Sequence, residues 1–174
     1  DQRPERRHWA AAHEIGETLA AEISLAAGME IADISPVQRE FLANQFAQRL
    51  LMPTIWWQEQ VQEAEGDLRS LKKVFSTASH ELVAGRLLDL AAPRVMTVWD
   101  QGEMTRRRCN LVDWPRRLTP IEKEVWRRSH QEQAVADVTS NEGRIRCWPI
   151  SEPGWQREIL LWEPRIKNEE SEWP

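Results

Sequence analysis

The spacing of apolar residues along the chain changes at Pro93, and this change limits the folds that the chain can adopt. Before Pro93 the sequence consists of segments with helical apolar spacing, separated by short polar breaks. After Pro93, short runs of β-branched and aromatic residues alternate with turn sequences, a pattern typical of strands. We therefore predict an α+β fold. It has a mainly helical part with a helix pair over residues 1–92 and a smaller mixed part with β-hairpins over residues 93–174.

The helical part begins with two long helices whose ends are marked. Pro4 suits the first turn of a helix and Gly28 suits the stop after it, so the first helix is predicted between them. The run Ser35-Pro36-Val37-Gln38 is a capping box that opens a second helix, which ends before Pro53. Apolar spacing assigns each helix a buried face. These faces are Ala12, Ile15, Leu19, Ile23 and Leu25 in the first helix, and Val37, Phe41, Leu42, Phe46, Leu50 and Leu51 in the second.

The remaining elements are shorter. They are predicted as helices over residues 55–64, 68–75, 79–90 and 120–133, a hairpin over residues 95–109, and strands over residues 144–150 and 155–162. The helix after Thr119 opens with a second capping box, and Glu152-Pro153-Gly154 provides the turn between the last two strands.

The composition argues against several classes of protein. No apolar run approaches the roughly 18 residues of a membrane span, which argues against a membrane protein. Two cysteines among 174 residues cannot form a disulfide framework, so we expect a cytoplasmic protein. The net charge of −5 argues against direct nucleic-acid binding. Arginine runs at residues 106–108, 116–117 and 127–128 are interleaved with acidic residues, which favours a salt-bridged surface.

The clearest chemistry lies around His13 in the first predicted helix. His13 and Glu17 are four residues apart, so on a helix they share one face, with Cβ atoms about 5–6 Å apart, and can point at one ion. Glu14 lies one residue further round, close to anything bound there. Glutamate is common in helices, so this motif by itself favours a solvated polar face over a metal site.

Glu40 in the second predicted helix is a third candidate ligand. Ala43 and Ala47 are small, so this helix can approach another closely while Glu40 points into the contact. A carboxylate in such a place needs a partner because an unpaired buried charge is costly. A metal ion on the first helix is one such partner, and a salt bridge to Arg6 or Arg7 is the alternative.

Taken together, these segments resemble a known family. The stretch from Arg7 to Glu17, the run from Glu40 to Ala47 and the motif Leu50-Leu51-Met52-Pro53 are similar in order and spacing to the ImmA/IrrE zinc metallopeptidases. Those proteins carry an H-E-x-x-H type helix followed by an E-x-x-A-N-x-F-A helix. The resemblance covers about residues 7–90. It implies a zincin-like fold and hydrolysis of peptide bonds in a protein substrate, such as a transcriptional repressor.

The resemblance also implies roles for individual residues. His13 and Glu40 would be metal ligands, and Glu14 the general base that activates the attacking water. The family has histidine where this chain has Glu17, so the third metal ligand here would be a carboxylate. Carboxylate oxygen does bind zinc, but two anionic ligands weaken the ion's pull on water and shift preference towards Mn or Fe(II). The chain is therefore either a zinc, Mn or Fe endopeptidase or a catalytically degenerate relative that acts as a protein-binding regulatory module.

Overall fold

The computed structural model describes residues 3–26, 28, 35–112, 116–152 and 154–165. These residues form a mixed α+β protein in which the helices are mostly N-terminal and the strands C-terminal, which confirms the predicted fold class. The chain divides into two compact units, Asp1–Val83 and Ala84–Pro174. Among the described residues, no helix combines the length and the apolar character that a membrane crossing requires.

In the described part of the N-terminal half there are five α-helices, close to their predicted limits. They are α1 (Pro4–Ala26), α2 (Pro36–Leu51), α3 (Thr54–Glu63), α4 (Leu68–Val74) and α5 (His80–Arg86). The capping box of α2 is complete: the Ser35 hydroxyl accepts from the Gln38 amide at 3.3 Å, and the Ser35 amide donates to the Gln38 side chain at 2.8 Å. The fifth helix is shorter than predicted because after Arg86 the chain tightens into a 3-10 turn, Leu87–Asp89. The division between the units falls within α5, whereas the change in residue pattern predicts a boundary after residue 92.

The buried faces predicted for α1 and α2 are only partly right: Ala12 is buried, and Leu19, Ile23, Leu42, Phe46 and Leu51 are half-buried. The fully buried residues are small, namely Ala12, Gly16, Ala20 and Ser24 on α1 and Ala43 and Ala47 on α2. Large residues of the predicted faces are exposed, namely Ile15, Leu25, Val37, Phe41 and Leu50. A Cβ atom on Gly16 would lie 2.8 Å from the carbonyl oxygen of Ala43. The two backbones therefore approach so closely that only small side chains fit between them.

The C-terminal unit is built on one antiparallel sheet. Its elements are β1 (Val95–Asp100), β2 (Glu103–Cys109), α6 (Pro120–Glu132), β3 (Ala136–Ser140), β4 (Gly143–Glu152) and β5 (Trp155–Pro164). The five strands lie in the order β2-β1-β5-β4-β3, and α6 packs on β3, β4 and β5. The predicted hairpin and the two late strands are confirmed. Strand β3 is absent from the sequence prediction because it is a five-residue edge strand with only Ala136 buried.

Large side chains fill the space between α6 and the sheet. This core comprises Val95, Trp99, Val125, Ala136, Ile145, Cys147, Leu160 and Trp162. Burial raises the pKa of the Cys147 thiol to about 12, so the thiol stays protonated at neutral pH. Both cysteines of the chain, Cys109 and Cys147, are free.

Candidate metal centre

The packing of α1 on α2 brings the first two candidate ligands into contact. His13 on α1 and Glu40 on α2 are 27 residues apart in sequence, yet His13 Nε2 lies 3.2 Å from Glu40 Oε1. This contact depends on Gly16, because a side chain there would meet the backbone of Ala43, which is itself fully buried. The ion-pair partner of Glu40 among the described residues is therefore His13, and not Arg6 or Arg7.

Two further carboxylates lie beside this pair. Ligand atoms of His13, Glu14 and Glu17 all lie within 4.8 Å of one another. Glu40 does not belong to that mutual group, but Glu17 and Glu40 line the same open depression of about 360 Å³. The structure thus gathers the four residues named from the sequence around one place, and their roles stay predictions.

Glu40 is oriented by a residue to which the sequence analysis assigned no role. The Asn44 amide, one turn further along α2, donates a hydrogen bond of 2.8 Å to Glu40 Oε1. This bond aims one carboxylate oxygen towards α1. On the other helix, the Trp9 ring lies 6.4 Å from the His13 ring, centroid to centroid. Helical spacing could have identified both Asn44 and Trp9 from the sequence. Each lies four residues from a candidate ligand on its own helix, and residues four apart share a face.

The donor atoms fit a divalent cation. Donors in a tetrahedral site with bond lengths of about 2.0–2.2 Å lie roughly 3.3 Å apart, and His13 Nε2 and Glu40 Oε1 have nearly this separation at 3.2 Å. Glu14 and Glu17 are exposed, so their carboxylates can rotate through the remaining distance without repacking a core. One imidazole with several carboxylates is a harder donor set than the family's histidine pair, which favours Mn or Fe(II) relative to zinc.

The same distance also fits a hydrogen bond between His13 and Glu40 with no ion present. An imidazole N–H can donate to a carboxylate at 3.2 Å, and Asn44 supplies a second donor to the same oxygen. The side chain of His13 is only 17% exposed, whereas that of Glu40 is 56% exposed. The pair is thus chemically satisfied in two ways, and a metal must compete with the hydrogen bond.

The other histidine and arginine candidates lie elsewhere. His130 on α6 belongs to the C-terminal unit, where its Nδ1 lies 2.8 Å from the buried carboxylate of Glu158. Arg107 is bound to the buried carboxylate of Glu122 at 2.8 Å. Arg127 and Arg128 pair with acidic residues on α6, namely Glu124 and Glu132. The pairs of Arg127 and Arg128 agree with a salt-bridged surface, whereas Arg107 forms a buried ion pair with Glu122.

Comparison with known proteins gives a structural likeness alone. No family model matches the sequence, and no curated protein matches it. The fold is similar to that of a Mycobacterium tuberculosis transcriptional regulator, with a TM-score of 0.65 and 18% sequence identity. The match covers 93% of this chain and 56% of the regulator, so the chain spans little more than half of that protein's length. At this identity the likeness shows a shared fold and nothing further.

Proposed function

We propose that the chain is a metal-dependent endopeptidase of the ImmA/IrrE type, which hydrolyses peptide bonds in a protein substrate. The observation that carries this proposal is the 3.2 Å contact between His13 Nε2 and Glu40 Oε1, with Glu14 and Glu17 beside it. The order and spacing of the motifs from Arg7 to Pro53 support it independently. Its place of action is the cytoplasm, which agrees with two free thiols.

Each residue has a distinct task in this proposal. His13, Glu17 and Glu40 would hold the ion, which when bound supplies the Lewis acid that polarises the scissile carbonyl. Glu14 lies within the same 4.8 Å group and is exposed, so it can take a proton from the attacking water and later pass it to the leaving amine. Asn44 is a positioning residue because it holds Glu40 towards His13.

A transcriptional repressor is the proposed substrate class. The family resemblance implies it, and the similar structure from M. tuberculosis is a transcriptional regulator. Because that likeness is one of fold, the substrate class rests on the family resemblance.

The second candidate function is a protein-binding regulatory module without catalysis. One observation favours it: the hydrogen bonds among His13, Glu40 and Asn44 satisfy the site with no ion. Glu17 in place of histidine acts in the same direction, because a second anionic ligand makes the ion a weaker Lewis acid.

Metal binding is the first test between the two functions. Chelator-treated protein is titrated separately with zinc, Mn and Fe(II), and bound metal is counted. We expect one ion per chain, lost in His13→Ala and kept in the control His8→Ala, which changes an exposed histidine of the same helix. Glu17→His should tighten zinc binding because it restores the family's ligand. If neither the wild type nor Glu17→His binds any of the three metals, the metal site is contradicted and the regulatory module is favoured.

Turnover is the second test. Metal-loaded protein is incubated with candidate repressors, and cleavage is followed by mass spectrometry of the fragments. Glu14→Gln should keep the metal and lose cleavage by at least about 100-fold, the usual scale for a general base. Equal cleavage by the wild type and Glu14→Gln would remove Glu14 from the mechanism.

A further inference from the structure

Arg39 lies beside the candidate ligands and belongs to none of the roles above. Together with Glu17, Pro36 and Glu40 it lines the open depression of about 360 Å³ next to His13. Its side chain is exposed, and no described residue forms an ion pair or side-chain hydrogen bond with its guanidinium. The depression is therefore lined by a permanently charged guanidinium whose N–H groups are available to a ligand.

The position of Arg39 on its helix adds to the positive field there. Helix α2 begins at Pro36, its N-cap is Ser35, and its first turn contains no acidic residue. The start of a helix carries a partial positive charge, so a guanidinium close to it is unfavourable by a few tenths of a kcal/mol unless an anion compensates. The helix dipole therefore does not account for arginine at this position.

The charge balance of the depression depends on the metal. Glu17 and Glu40 contribute two negative charges and Arg39 one positive charge. Without a cation the depression is net negative, and Arg39 serves to neutralise its neighbours. A divalent ion held by His13, Glu17 and Glu40 offsets the charges of these two carboxylates, so that they no longer compensate the positive charge of the guanidinium, which faces the solvent.

We propose that Arg39 is a specificity residue that binds a carboxylate of the peptide substrate beside the candidate metal centre. The planar guanidinium matches a carboxylate through two parallel N–H···O bonds, which a lysine ammonium cannot reproduce. The carboxylate comes either from an Asp or Glu side chain near the scissile bond or from the C-terminus of the peptide. This inference rests on the proposed function, because it assigns a substrate class to the same site.

The proposal has a thermodynamic consequence. If the metal increases the affinity for a carboxylate peptide by some factor, the peptide must increase the affinity for the metal by the same factor. Removing Arg39 abolishes that coupling. It also removes a cation close to the ion, so the metal alone should bind somewhat more tightly to the variant.

The test measures binding, so that it does not depend on turnover. Three peptides are titrated into zinc-loaded and chelator-treated protein by NMR: acetyl-tetraalanine with a free C-terminus, its C-terminal amide, and an amide with one alanine replaced by glutamate. We expect zinc-loaded wild type to bind at least one carboxylate peptide about tenfold more tightly than the neutral amide. Which of the two carboxylate peptides binds identifies the source of the carboxylate.

Three variants define the role of the guanidinium. Arg39→Gln should lose the preference for the carboxylate peptide, and Arg39→Lys should keep only part of it. Arg49→Gln is the matched control, an exposed arginine near the other end of α2 whose contacts are with Gln45. It should behave like wild type in both peptide and zinc binding.

The outcomes separate this inference from the proposed function. If Arg39→Gln tightens zinc binding but leaves peptide selectivity unchanged, Arg39 only neutralises its neighbours and the inference is overturned while the metal site stands. If zinc does not bind but an Arg39-dependent carboxylate preference is present, the proposed function fails and the carboxylate site stands. If zinc does not bind and no form of the protein prefers a carboxylate peptide, both the proposed function and this inference are overturned.

Discussion

The interface between α1 and α2 and the core between α6 and the sheet bury opposite kinds of residue. In the first unit, α1 and α2 meet through alanine, glycine and serine, while Phe41 and Val37 lie on the outside, 61% and 78% exposed. In the second unit, α6 covers a sheet whose inner face carries tryptophan, leucine and isoleucine. The first arrangement brings two backbones close together, and the second removes a large apolar area from water.

This difference bears on where chemistry can lie. A helix pair in close contact holds short polar side chains from both helices at the distance of a hydrogen bond, as in the 3.2 Å contact between His13 and Glu40. The hydrophobic stabilisation of such a contact is small because little apolar surface is buried. A core of large side chains supplies stability, and the polar contact of His130 with Glu158 in the second unit involves a carboxylate that is fully buried. The candidate site accordingly lies in the unit with the small-residue interface.

Replacing a large apolar residue in each unit is the strongest test of this contrast. Leu160→Ala removes a fully buried side chain from the sheet core and should lower the free energy of unfolding by about 2–5 kcal/mol. Phe41→Ala removes an exposed ring from α2 and should change it by less than about 0.5 kcal/mol. Denaturant unfolding measures both. A large loss for Phe41→Ala would show that the exposed face of α2 is covered in solution.

Enlarging the small-residue interface should have the next largest effect. In Gly16→Ala the added Cβ would lie 2.8 Å from the carbonyl oxygen of Ala43 and 2.9 Å from its Cα, both backbone atoms that cannot turn away. We expect the free energy of unfolding to fall by about 1–3 kcal/mol and metal binding to weaken, because α1 and α2 must separate. Gly85→Ala is the control, since its Cβ meets nothing within 4 Å. It should stabilise its helix by about 0.5–1 kcal/mol. Equal effects of the two substitutions would refute the close approach.

The orientation of Glu40 can be tested without disturbing the interface. Asn44→Ala removes the 2.8 Å hydrogen bond to Glu40 Oε1 and should weaken metal binding about 10–100-fold, the usual scale for a residue that orients a ligand. Gln45→Ala is the neighbouring control, because its side chain contacts Arg49. Calorimetric zinc titration gives both affinities. An unchanged affinity in Asn44→Ala would mean that Glu40 does not bind the ion.

The smallest effect concerns a polar contact of the second unit. Partial burial raises the pKa of Asp100, but hydrogen bonds from Arg157 and Thr105 outweigh it and leave the pKa below its ordinary value. Because the folded pKa is depressed, this carboxylate stabilises the protein above the ordinary aspartate pKa of about 3.9 and loses its contribution as pH falls through the folded value. Asp100→Asn should lower the free energy of unfolding by on the order of 1 kcal/mol at pH 7 and by much less at pH 2. Unfolding at both pH values measures this, and an equal cost at each would contradict the assignment.

Much of the fold could be predicted because its signals are local. The two capping boxes, at Ser35 and Thr119, each lie within four residues and are both formed. The hairpin of β1 and β2 could be located because Gln101 and Gly102 adopt the positive φ angles that a tight turn needs. Strand β3 could not, because its pairing with β4 leaves most of its side chains exposed and gives it little apolar signal.

The candidate site was only partly predictable. His13, Glu14 and Glu17 follow from helical spacing within one segment, and their proximity is a local property of α1. Glu40 was a candidate because the small residues Ala43 and Ala47 predict a close helix contact, but nothing local showed that its partner lies on α1. Arg39 was not singled out, because its significance comes only from the depression that it shares with Glu17.

The sequence by itself determined where most helices begin and end, because those limits depend on capping and hydrogen bonds between residues three or four apart, and it located most strands through their apolar runs and turn residues. Only the tertiary structure decided which faces are buried. Apolar periodicity favoured the large residues of α1 and α2, but Gly16 and Ala43 permit an approach that large side chains would block. That choice depends on a contact between segments 27 residues apart, as the pairing of His13 with Glu40 does. Long-range complementarity of shape has no signature within either helix alone.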